Sequence, residues 1–102
     1  MLERAIAVDA RVPYAYYFLA KAHAAANHPA LANRFLDRAE QKLAGEPYWR
    51  SEVYALRGKL LAQEGKSAAA EASDRRALEA WPGNRAAAEA LTAAPRRGKE
   101  AP

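Results

Sequence analysis

Four clusters of helix-breaking residues divide this chain into stretches of helical length, and they limit the fold more than any other feature does. Asn27-His28-Pro29, Gly45-Glu46-Pro47, Gly65-Lys66-Ser67 and Trp81-Pro82-Gly83-Asn84 each join a stop to a start. Asn27 or His28 can cap, and Pro29 and Pro47 suit a first helical turn. Ser67 is an N-cap residue type, and Pro82 forces its predecessor out of the α region. The spacing predicts helices near 2–9, 13–26, 29–43, 47–63 and 67–80, with a short one near 84–93. Connections this short make consecutive helices antiparallel neighbours.

Composition agrees. Ile6, Val8, Val12, Val53 and Thr92 are the whole β-branched content of 102 residues. No alternating strand pattern occurs, and much of the 51% hydrophobic share is alanine, the best helix former. The expected class is all-α, and the length is that of one domain. Without cysteine there is no disulfide or thiolate chemistry, and the redox compartment stays open. The N-terminus does not read as a signal peptide and no apolar run is long enough to span a membrane. No membrane partner is therefore expected. The compartment is undetermined, with a lean to the cytoplasm. The net charge of +4 divides unevenly. Residues 51–94 are neutral, while residues 1–50 and the last eight residues each carry a small positive excess. Residues 95–102, with Pro95-Arg96-Arg97-Gly98-Lys99, read as a disordered basic tail.

Taken in pairs, the helices repeat. The segment 51–84 carries Tyr54, Gly58, Leu61, Gly65, Ala70, Ala77-Leu78 and Pro82 at its fourth, eighth, eleventh, fifteenth, twentieth, twenty-seventh to twenty-eighth and thirty-second positions. It resembles the tetratricopeptide repeat. A second match, at 13–46, has Tyr16, Leu19, Ala20, His23, Ala32, Leu36 and Ala39 in the corresponding register. It has Asn27 in place of the mid-repeat glycine and Ala44 in place of the closing proline. Residues 2–12, with Ala5-Ile6-Ala7-Val8-Asp9, resemble the end of a further repeat.

The resemblance implies antiparallel hairpins stacked as a short right-handed superhelical array, an α-solenoid. One domain would cover 1–94: half repeat 2–12, repeats 13–46 and 51–84, and a capping helix 84–93. An array that opens on half a repeat suggests either a piece of a longer protein or an N-terminal helix covered by something else. The implied function is a scaffold that binds a peptide or protein segment in a concave groove, without a cofactor. By the family's register the groove residues would be Tyr14, Tyr17, Lys21 and Ala24, then Glu52, Ala55, Lys59 and Ala62. The tyrosines could equally serve repeat packing. The lysine and asparagine pattern with which some members grip a terminal carboxylate is not matched, since Tyr17, Lys21 and Leu56 stand there. A homo-oligomer formed through the N-terminal helix is an alternative. Binding of nucleic acid, which needs polar readers on a basic surface, is not expected from a neutral second repeat.

Nothing in the sequence points to an enzyme. His23 and His28 lack the i, i+4 spacing of a helical metal pair, so no metal site is expected. Ser51, Ser67 and Ser73 have no nucleophile turn around them. Glu71 and Arg75 are an ordinary surface pair. One departure from the repeat stands out. Positions seven and twenty-four, filled by Leu19 and Leu36 in the first copy, hold Arg57 and Asp74 in the second. Either the two form an ion pair in place of an apolar contact, or the stripe Trp49, Val53, Leu56, Leu60 rotates the helix and turns Arg57 toward water.

Overall fold

The computed structural model describes residues 12–100, with side chains for residues 12–93. The helix expected near 2–9 lies outside the described residues. Those described form α1 (Tyr14–Ala25), α2 (Pro29–Lys42), α3 (Pro47–Gln63), α4 (Ser67–Ala80) and α5 (Arg85–Glu100), with no strand among them. The protein is all-α. None of these helices is long and apolar enough to cross a membrane.

Prolines open α2 and α3 in their first turns, where a missing N–H costs nothing. Both α1 and α3 end on a residue with positive φ, Asn27 at 64° and Gly65 at 80°. Each sits in the same Schellman turn. His28 and Asn27 N–H donate to the carbonyls of His23 and Ala24, as Lys66 and Gly65 donate to Leu61 and Ala62. The closing turns match as well. Leu43 donates to Ala39 and Glu46 to Leu43, as Trp81 donates to Ala77 and Asn84 to Trp81. The turn after α2 therefore keeps these hydrogen bonds although Ala44 replaces the proline found at position 82. The backbone differs at the cap: Trp81, ahead of Pro82, is extended at ψ 97°, and Leu43 sits at ψ 15°.

The closest packing is α1 on α2 and α3 on α4, giving two helix hairpins, with α5 laid on α4. Small residues allow that approach: Ala20 and Ala32 are fully buried in the first hairpin, and Gly58 and Ala70 lie close in the second. The larger core fills the first hairpin and the seam to α3, through Tyr16, Leu19, Leu36, Leu43, Val53, Leu56 and Leu60. A second, thin core of Tyr54, Ala77 and Ala87 joins the second hairpin to α5.

The C-terminal end corrects the sequence reading. The expected capping helix 84–93 does not stop there, and the expected disordered tail 95–102 is helical as far as Glu100. Proline's φ is helical, and its missing N–H forfeits a hydrogen bond in a stretch rich in alanine, the strongest helix former.

Candidate binding groove

Helices α1, α3 and α5 enclose a cavity of about 540 Å³. Tyr17 and Lys21 line it from α1, and Ala86 and Ala90 from α5. Glu52, Ala55, Leu56, Gly58, Lys59, Ala62 and Gln63 line it from α3, with Asp74 of α4 beneath. Of the residues named from sequence, Tyr17, Lys21, Glu52, Ala55, Lys59 and Ala62 come together here. Tyr14 and Ala24 do not line this cavity. Ala24 borders a smaller pocket with Asn27, Pro29, Leu60, Gln63 and Glu64. Tyr14 lies on an aromatic edge.

Tyr17 is buried, and its hydroxyl donates to Glu52 Oε1 at 3.2 Å, linking the two hairpins across the groove. Burial, reinforced by the Glu52 charge, holds the Tyr17 phenol well above its ordinary pKa. So this tyrosine supplies apolar wall, while its polar end is already engaged. Asp74 is 5% exposed and lies under Gly58, where an added Cβ would stand 2.5 Å from Asp74 Oδ1. Lys21 and Lys59 are exposed.

Arg57, which the sequence reading set against Asp74, makes hydrogen bonds to the neighbouring hairpin. The Arg57 guanidinium donates to Asp37 Oδ1 at 3.0 Å and to Glu40 Oε1 at 3.1 Å, both on α2. The physical reason is rotation. Val53, Leu56 and Leu60 are buried against the first hairpin, and this points Arg57 at α2 and Gly58 at α4. Tyr54 belongs to the same polar seam: its hydroxyl donates to Glu40 Oε2 at 3.3 Å, and Arg50 and Arg76 approach its ring.

Two features escaped the sequence reading. Tyr14, Phe18, Tyr48 and Trp81 are the large apolar side chains left exposed among the described residues. They form one connected edge: Tyr14, Tyr17, Phe18 and Tyr48 all pack on Trp49, and Tyr48 on Trp81, with centroids 5.2–5.8 Å apart. The available signal was the aromatic crowding of residues 14–18 and 48–49. The other feature is a buried polar chain. Ser51 Oγ donates to the Ala77 carbonyl at 2.6 Å and accepts from Asn84 Nδ2 at 2.7 Å. Asn84 Oδ1 accepts from Ala87 N–H at 3.1 Å, capping α5. An asparagine directly before a helix is the signal that could have identified it.

His23 stacks on Phe35 with ring centroids 5.4 Å apart and planes 5° from parallel. Among the described residues no three His, Asp or Glu side chains gather as a metal site would require. No protein-family model, curated protein or solved structure matches the chain.

Proposed function

We propose that the chain is a protein-interaction module of the tetratricopeptide-repeat type, taking a segment of a partner protein in the groove between α1, α3 and α5. The observation that carries this reading is the cavity itself. It is open enough for side chains, has an alanine-rich floor and bears charged groups at its margin. That is the common composition of binding sites: mostly apolar, with a few placed polar groups. The two hairpins closed by the same turn hydrogen bonds support the repeat assignment and, with it, a superhelical stacking of the array.

The test is selection from a random twelve-residue peptide library against the wild-type protein and against Ala55→Trp and Ala62→Trp, whose indoles would fill the groove. Folding of the variants is checked by far-UV circular dichroism. Peptides retained by wild type and lost on both variants are the expected result. Recovery of none, or of peptides indifferent to both substitutions, would end this reading.

Self-association is the second reading, favoured by the exposed aromatic edge, since clustered exposed apolar side chains mark interaction surfaces. Sedimentation of wild type beside Phe18→Ser and Trp81→Ser distinguishes it: a concentration-dependent dimer lost in the variants is its signature.

A further inference from the structure

We propose that the groove selects an acidic segment, with carboxylates of the partner meeting Lys21 and Lys59. This rests on reading the groove as a peptide site and adds the chemistry of its occupant. Four ionisable side chains other than tyrosine line the cavity: Lys21, Glu52, Lys59 and Asp74. Counted formally, they cancel. Counted by what an incoming chain can reach, they do not. The Glu52 carboxylate is half-buried and already accepts from the Tyr17 hydroxyl. Asp74 lies beneath Gly58, at the bottom of the site and nearly inaccessible. The two ammonium groups belong to exposed residues, one on α1 and one on α3, so they flank the cavity from two different helices.

The floor between them is Ala55, Gly58 and Ala62, with Ala86 and Ala90 opposite. These side chains offer contact area but no hydrogen bonds, so they do not discriminate among polar partners. Selection falls to the lysines. A carboxylate between them gains attraction from both, in surroundings less polar than water. A basic segment meets like charge at both margins, and the nearest carboxylate, Glu52, is half-buried with one oxygen engaged by Tyr17. Attraction of one charge class and rejection of the other then come from the same two residues.

The experiment uses the peptides recovered by selection. Those that need an open groove should carry an excess of Asp and Glu. Their affinity should fall at least tenfold on Lys21→Glu/Lys59→Glu, and fall with added salt. Lysine-substituted versions of the same peptides should bind the charge-reversed protein better than the wild type. If groove-dependent peptides prove neutral or basic, the groove binds peptides without this selectivity and the inference is overturned alone. Acidic peptides that bind the charge-reversed protein undiminished overturn it in the same way, by placing the acid preference elsewhere. If no groove-dependent peptide is recovered, the binding reading fails and takes this inference with it.

Discussion

Asn27 and Gly65 do the same work at the same place in each hairpin, and the energetic difference between them is measurable. Both adopt the left-handed conformation that ends a helix, at φ 64° and 80°. That region costs an ordinary side chain about 1–2 kcal/mol, and asparagine somewhat less. No atom lies within 4 Å of a Cβ built on Gly65, so Gly65→Ala isolates the backbone cost. It should destabilise by about 1 kcal/mol in urea unfolding, whereas Asn27→Gly should be close to neutral or mildly stabilising. Position 58 follows a different rule. There a Cβ would meet the Asp74 carboxylate and the Ala70 carbonyl, at 2.5 and 3.2 Å, so Gly58→Ala should cost about 1–3 kcal/mol through crowding. Arginine 57 marks the limit of what the sequence could tell. The repeat register identified an unusual charge at positions 57 and 74. It could not tell a contact within one hairpin from a contact with the next, because that choice depends on a helix rotation set by Val53, Leu56 and Leu60 together. A double-mutant cycle should give Arg57 and Glu40 a coupling of about 0.5 kcal/mol, modest because the Glu40 side chain is 38% exposed and Asp37 competes for the guanidinium. Coupling of Arg57 to Asp74 should be smaller.

At the scale of elements, helix boundaries were the most legible part of the protein. Breakers act locally, and the Pro29, Pro47 and Gly65 signals need no knowledge of the fold to be read. The end of α5 was not legible, because Pro95 locally disfavours a helix interior while the alanine-rich run before it favours continuation. How α5 is held was also hidden. Among the described side chains its apolar seam is thin: Tyr54 with Ala77 and Ala87, flanked by Ala55 and Leu78. The Ser51–Asn84 chain therefore carries much of the docking. Ser51 is fully buried and serves as both donor and acceptor, so Ser51→Ala takes one of two donors from the Ala77 carbonyl, which keeps the Trp81 N–H, and leaves the buried Asn84 Nδ2 without its acceptor. Leaving buried polar groups unsatisfied costs about 1–3 kcal/mol each. Loss of the Asn84 cap adds about 1 kcal/mol. Each single substitution should lower stability by about 2 kcal/mol, and Ser51→Ala/Asn84→Ala should cost clearly less than the two added together. Amide exchange should quicken first in α5 if the chain is its latch.

Across the whole molecule the helices form an elongated body with principal extents of 49 × 27 × 17 Å, and the larger apolar core lies at the seam between the hairpins. Polar links join the hairpins on two sides: Arg57 with Asp37 and Glu40 on one, and Tyr17 with Glu52 across the groove. Six of the groove positions taken from the repeat register line one cavity, whereas the walls from α5 depended on a docking that no local pattern announces. The Tyr17 link gives the assembly an alkaline limit whose sign follows from its environment. Burial and the Glu52 charge hold the phenol neutral in the folded protein, while in the unfolded chain it ionises near its ordinary value of about 10. The folded state thus keeps a proton that the unfolded state releases. Stability from this residue is complete below pH 10 and declines as pH rises beyond it, by at most about 1.4 kcal/mol per pH unit. Urea unfolding of wild type and Tyr17→Phe from pH 8 to 11 isolates the contribution. Other tyrosines and lysines titrate in both proteins, so the difference between the two curves belongs to Tyr17. The phenylalanine variant loses the hydrogen bond and should be about 1 kcal/mol less stable at pH 8. That deficit should shrink above pH 10 as the wild type gives up stability that the variant keeps. Glu52→Gln, which removes the charge but leaves the burial, should keep the onset near pH 10, which the unfolded chain sets, and level the decline off earlier with a smaller total loss, since its phenol ionises closer to the ordinary value. Parallel curves for wild type and Tyr17→Phe through pH 11 would mean that Tyr17 is not held neutral by the fold.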